Sequence, residues 1–303
     1  MPTKTALLFA DEKLGVGLGH ISRCTALKEE LEEQGFVAKI LDSCFLDSYF
    51  LDSCNLKILY DLIVIDSYVL PLDSYVLATK YAKKCLFFDD TLRLDYPQGI
   101  IINSANMESK KYKEKYPNHT LFLGNGYALT QRTFKHQSPK KLDPIIKRVL
   151  ITLGGDDILG LNTPISYALS NTFPSLQIYC ITKDSLQLPK CVKAYSQLNA
   201  QEMAQCIRSM DLCICACGQS LREILYCGVP VIALEVADNQ SANLESFQTC
   251  TLNLPKAYAM PKEQILQSVI ELVKKSQNLS LRLKHRRIAK ALLTYKNLWK
   301  GAF

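Results

Sequence analysis

The residues with the strongest claim to chemistry in this 303-residue chain are Gly15-Val16-Gly17-Leu18-Gly19-His20-Ile21-Ser22-Arg23. They lie between an apolar run, ALLFA (6–10), and a helix-patterned stretch, ISRCTALKEELEEQG (21–35). Glycines there let the backbone turn tightly and approach a ligand, and a helix start offers unpaired N–H groups to an anion. A dinucleotide fingerprint, GxGxxG, is the rival reading, with Asp42 where a ribose-binding acid would follow. The register opposes it. Counting from Gly15 puts His20 on the third glycine, and counting from Gly17 puts Ser22 there. That position must be small for helix–strand packing, and an imidazole would obstruct it. The positive end of the helix dipole disfavours an imidazolium at His20, which predicts a neutral ring near pH 7. A neutral imidazole can accept a proton from water; a purely structural histidine is the alternative.

A second constellation, Cys217-Gly218-Gln219-Ser220-Leu221-Arg222-Glu223, follows the run LCICA and opens a helix. The spacing of Ser220 and Glu223 matches a capping box. The same spacing also suits a nucleotide, with Gly218, Gln219 and Ser220 donating to a pyrophosphate and Glu223 accepting from ribose hydroxyls. Asp238-Asn239-Gln240 follows the strand-like run VPVIALE, at the carboxyl end where open sheets bind ligands. Gly154-Gly155-Asp156 ends another such run. Asp66-Ser67-Tyr68 ends a further one, and a tyrosine there could bond a sugar. Asp89 and Asp90 read first as turn or cap residues.

These groups need a scaffold, and the chain alternates strand and helix patterns. Short apolar runs (ALLFA, VAKILD, LYDLIVID, KCLFFDD, GIIIN) predict parallel strands buried on both faces. The polar stretch 133–144, with two prolines, reads as a linker, after which KRVLITLGG, LQIYCIT, MDLCICACG and VPVIALE restart the pattern. The expected fold is α/β, two doubly wound Rossmann-like lobes facing a cleft. The first lobe spans 1–135 and the second 145–303, with the last helices free to pack back on the first. A helix over 262–298 is expected to break at Ser276-Gln277-Asn278. Three pentads, LDSCF-LDSYF-LDSCN (41–55), and the repeated DSYVL (66–70 and 73–77) are too few for a solenoid and read as local duplications.

Composition narrows the function class. A net charge of +7 suits an anionic ligand, but scattered Lys and Arg do not make a nucleic-acid stripe. The dense Lys284-His285-Arg286-Arg287 reads as a solvated helix face. Cys213, Cys215 and Cys217 alternate and so share one face, as small buried hydrophobes do, and no CxxC pair suggests a zinc site. No apolar run reaches the ~18 residues of a membrane span, and no apolar leader is visible. A monomeric cytoplasmic protein with reduced thiols, no metal and no cofactor is expected.

Taken together, G-x-G-H-x-x-R (17–23), DSY (66–68), DD (89–90), LGNGY (123–127), LGGDD (153–157), CGQSLRE (217–223) and ADNQ (237–240) resemble one family. It is that of the UDP-2,4-diacetamido-2,4,6-trideoxy-β-L-altropyranose hydrolases of pseudaminic acid biosynthesis. The resemblance covers about 11–240 and is specific as a set. It implies a GT-B-like fold, similar to that of the peptidoglycan N-acetylglucosaminyltransferase, with water as acceptor and a role in flagellin glycosylation. It also implies His20 as catalytic base, with Tyr68 as the cleft tyrosine, although the duplicated DSY leaves Tyr75 open. Asp11, Gly17, Gly19, Gly155, Asp156, Gly218, Gln219, Ser220, Glu223, Asn239 and Gln240 would bind the UDP-sugar. The family has an arginine two residues before the aspartate matching Asp11; Phe9 stands there. A GT-B glycosyltransferase and a non-catalytic nucleotide-sugar subunit are the other classes consistent with these motifs.

Overall fold

A computed structural model describes residues 4–12, 19–52, 59–104, 109–135, 141–155, 157–185 and 187–293. Gly17 and Asp156 therefore lie outside the described residues. The described residues divide into two compact units, one up to Gln131 and the other from Arg132 onward.

The first unit is built on β1 (Lys4–Ala10), β2 (Phe36–Asp42), β3 (Tyr60–Asp66), β4 (Ala82–Phe88), β5 (Ile100–Asn103) and β6 (Thr120–Leu123). They form one parallel sheet in the order β2-β1-β3-β4-β5-β6. Period-two alternation sends Ala6, Leu8 and Ala10 to one face, where they pack with Cys24, Leu27 and Leu31 of the helix Gly19–Glu33. Leu7 and Phe9 go to the other face, against Leu46, Phe50 and Tyr75. Both faces are covered, which is why the strand sequences read as unbroken apolar runs. Each fully buried Leu or Phe contributes about 1.5–3 kcal/mol. Phe9 is one of them, with its ring against Tyr49 and Phe50.

The second unit repeats the plan with β7 (Arg148–Thr152), β8 (Gln177–Ile181), β9 (Lys193–Tyr195), β10 (Leu212–Ala216), β11 (Val231–Leu234) and β12 (Leu252–Leu254). Their parallel order is β12-β11-β10-β7-β8-β9. Cys213, Cys215 and Cys217 do share one buried face, beneath Leu221 and Phe247. The expected helix break is real. One helix runs Lys262–Ser276 and the next Leu279–Leu292, and the Asn278 side chain accepts from the Leu281 N–H at its start.

The structure differs from the sequence reading at three edges and one connection. β6, β9 and β12 are not evident as apolar runs, because each is an edge strand of three or four residues with one neighbour to satisfy. The linker reading of 133–144 fails at its start: Arg132–Lys135 is helical, with Phe134 buried in the second unit's core. Arg208 donates to the Thr133 and Phe134 carbonyls, and buried Arg282 donates to those of Asp143 and Pro144. Within the basic stretch Lys284 and Arg287 are exposed, whereas His285 and Arg286 line a small hollow with Leu225, Pro230 and Cys250.

Candidate functional site

In a doubly wound sheet the ligand crevice opens at the carboxyl ends of the two strands where the winding reverses. In the first unit those strands are β1 and β3, and the ladder pairs Ala10 with both Asp42 and Asp66. Asp11 and Asp66 therefore emerge side by side, and the helix Gly19–Glu33 begins above them with His20 in its first turn. His20 Nδ1 lies 2.6 Å from Asp66 Oδ1. Arg23, one turn further on, takes both oxygens of the same carboxylate, Nη2 to Oδ1 at 2.7 Å and Nε to Oδ2 at 2.9 Å. Its Nη1 reaches Asp90 Oδ2 at 2.7 Å, and its guanidinium sits 5.0 Å from the Phe88 ring centre. Tyr68 donates its hydroxyl to the same Asp90 oxygen at 2.6 Å, and its ring stands edge-on to His20 with centroids 4.5 Å apart.

The electrostatics revise the expectation of a neutral His20. Burial opposes its charged form, but the Asp66 carboxylate in hydrogen-bonding contact outweighs burial and raises the pKa above 6.5. Burial also opposes charge on Asp66, yet Arg23 and His20 together hold its carboxyl down at about 2. Burial and the neighbouring Asp90 carboxylate push the Tyr68 phenol well above its ordinary range, and its hydroxyl donates to Asp90.

The acids and tyrosines left open by the sequence have different surroundings. Asp89 is the turn residue, buried and accepting from the Thr91 and Arg93 N–H groups and the Tyr116 hydroxyl. Asp90 instead accepts from Arg23 and Tyr68. Asp11 is buried and its oxygens take the Ser43 hydroxyl and, at 2.7 Å, the Tyr68 N–H, so it acts as an anchor for the Tyr68 backbone. Tyr75 belongs to the core, donating to the Ser67 carbonyl and accepting from Arg93. The second DSY thus braces the first, and Ser74 bonds Asp47 of the middle pentad. Sequence reasoning named Asp66 and Arg23 only as motif members; the available signal was an acid ending a buried strand.

The second unit's switch lies between β7 and β10, whose ends are level through Cys215 and Thr152. Beyond β7, Gly154 takes φ +94°, which only glycine adopts readily, and Gly155 is exposed. Asp157 accepts from the Leu161 and Asn162 N–H groups, holding the next helix start. Beyond β10, Gly218 is the N-cap of the helix Gln219–Tyr226. That removes the capping-box reading, because Ser220 is already inside the helix. Gly218, Gln219 and Ser220 are half-buried at this start, and Glu223 is buried one turn in. Gln240 is a bracket: its amide oxygen accepts from the Cys217 and Val236 N–H groups, joining the ends of β10 and β11, while Asn239 is exposed. Among the described residues, no cluster of three or more His, Cys, Asp or Glu could hold a metal, and no helix is long and apolar enough to cross a membrane.

Comparison with known proteins follows the same lines. No family model matches the chain. It is 28% identical over 253 residues to a Helicobacter pylori protein named pseudaminic acid cytidylyltransferase and UDP-2,4-diacetamido-2,4,6-trideoxy-β-L-altropyranose hydrolase, covering 82% of this chain and 47% of that protein. An uncharacterised Methanocaldococcus jannaschii protein is 24% identical over 268 residues, covering 75% of this chain and 54% of the relative. The chain thus spans about half the length of these relatives. Among solved structures, MurG of Acinetobacter baumannii superposes with TM-score 0.56 at 15% identity, covering 94% of this chain and 95% of that one. Anabaena HepE in complex with UDP-glucose gives 0.56 at 12%, covering 95% of both chains. The spinosyn forosaminyltransferase SpnP gives 0.59 at 13%, covering 94% of both. The resemblance carried by the motifs is therefore borne out in a named relative, and this chain is a GT-B-fold protein homologous to the bifunctional Helicobacter pylori protein.

Proposed function

We propose that the chain is a UDP-sugar hydrolase in which His20 activates water at the anomeric carbon. The observation that carries this reading is the buried Asp66–His20 pair at the β1/β3 switch, 2.6 Å apart and cross-braced by Arg23. With Nδ1 committed to Asp66, Nε2 is the nitrogen that can take a proton. A water oxygen attacks the anomeric carbon and passes its proton to Nε2, while Asp66 stabilises the imidazolium formed. The bond from that carbon to the diphosphate oxygen breaks, the anomeric centre inverts, and UDP leaves with the bond's electrons. Donors at Gly155 and at Gly218, Gln219 and Ser220 in the second unit suit the departing diphosphate, and Glu223 suits the ribose hydroxyls. Gly19, Asn239 and Asp156 keep the ligand-contact roles that the family resemblance implies.

The substrate favoured by the Helicobacter pylori relative's name is UDP-2,4-diacetamido-2,4,6-trideoxy-β-L-altropyranose, released as UDP and free 2,4-diacetamido-2,4,6-trideoxy-L-altrose. Turnover of that nucleotide sugar in ¹⁸O-labelled water tests the reaction by mass spectrometry. Label in the sugar and none in UDP is expected. Label in UDP would mean attack at phosphorus. UDP release only on adding a second sugar or lipid acceptor would favour a transferase.

A further inference from the structure

We propose that Asp90 is a positioning residue that fixes the His20 ring by clamping Tyr68 against it. The inference rests on the hydrolase reading and assigns a role that no motif gives. One carboxylate oxygen, Asp90 Oδ2, accepts from Tyr68 at 2.6 Å and from Arg23 at 2.7 Å. Arg23 in turn holds Asp66, and Asp66 holds His20. The chain of contacts closes on itself, because the Tyr68 ring stands at 89° to the imidazole with centroids 4.5 Å apart.

The physical need for such a clamp is clear from the imidazole's own contacts. Asp66 holds Nδ1, but hydrogen bonds at one nitrogen tolerate tilts of the ring that displace Nε2 on its far side. A second ring packed perpendicular to it at 4.5 Å between centroids limits that tilt and directs Nε2. Tyr68 lies just beyond the end of β3, so it must itself be tied: its N–H to Asp11 and its hydroxyl to Asp90. An ionised acceptor makes the second tie a charge-assisted bond, about twice as strong as a neutral one. Arg23 keeps Asp90 turned inward at a site that is otherwise partly exposed. On this account Tyr68 neither donates to nor accepts from the reacting atoms, and its hydroxyl is spent on Asp90.

The test is a double-mutant cycle of Asp90→Ala and Tyr68→Phe, read in two ways. Tyr68→Phe removes only the tether and keeps the ring, so it survives any folding defect of Asp90→Ala. In turnover, Tyr68→Phe is expected to lose about tenfold in kcat with KM held, and Asp90→Ala at least as much, because it also takes an acceptor from Arg23. Adding Tyr68→Phe to Asp90→Ala should cost nothing further, because the tether is already cut. Multiplied losses would overturn the clamp. The second reading needs no activity: with four histidines in the chain, the His20 ring protons can be assigned by NMR. Both variants should move those signals alike as the Tyr68 ring leaves, and unmoved signals would overturn the clamp. If the wild-type chain releases no sugar from any UDP-sugar, the hydrolase reading fails and the ring signals alone decide the clamp.

Discussion

The two sheets share a winding rule, yet their switch points hold opposite materials. At β1/β3 the crevice is furnished with charged side chains locked to one another: His20, Arg23, Asp66, Asp90 and the Tyr68 hydroxyl. At β7/β10 it is furnished with backbone, through Gly154, Gly155 and Gly218, and with a helix start. Interlocked side chains fix pKa values and proton positions. Exposed N–H groups without side chains receive an anion and leave room for it. On the proposed function, the same topology would serve proton transfer in one unit and hold a phosphate in the other.

The sharpest way to break that comparison is His20→Asn. Turnover should fall by about 10²–10⁴-fold, the usual contribution of a general base, while UDP affinity by calorimetry stays level. A parallel loss of UDP binding would show that the two switch points do not divide the work. Glu223→Gln probes the other side. It should weaken UDP by about 1.5–3 kcal/mol, a ten- to hundredfold change in Kd, through loss of a charged acceptor. A lower melting temperature with unchanged Kd would make Glu223 structural.

The glycines offer a finer cut. A Cβ at Gly218 would meet nothing within 4 Å, so Gly218→Ala should fold normally and lose about tenfold in UDP affinity if ligand fills that space. A Cβ at Gly154 also meets nothing within 4 Å, but its φ of +94° should make Gly154→Ala cost about 1–2 kcal/mol in thermal unfolding. Equal effects of the two on Kd would remove the distinction between ligand space and backbone conformation.

The smallest expected effect is a shift in a pH profile. His20 must be neutral to act, so kcat/KM should rise with pH around a midpoint above 6.5, because Asp66 favours the imidazolium. In Asp66→Asn that support is gone while burial still opposes charge, and the midpoint should fall below the wild-type one. A midpoint unmoved in Asp66→Asn would mean that another group titrates.

Much of this was legible in the chain, and for identifiable reasons. The internal strands announced themselves because both of their faces are buried, and the break before Asn278 because the side chain of Asn278 caps the next helix. The strand–helix alternation, repeated twice, implied two doubly wound units, and the motif set implied the GT-B fold through its family resemblance. What needed tertiary structure was everything that depends on partners distant in sequence. Asp89 and Asp90 are adjacent and alike in the chain, yet one faces Tyr116 in the core and the other faces Arg23. Tyr68 and Tyr75 carry the same local signature, and only packing sends the second into the core. The dipole argument for a neutral His20 used its own helix alone; a carboxylate 46 residues away, brought to 2.6 Å by strand register, acts in the opposite direction. Local pattern determines which residues end strands and start helices, but a side chain's charge state and orientation follow from what the register places opposite it.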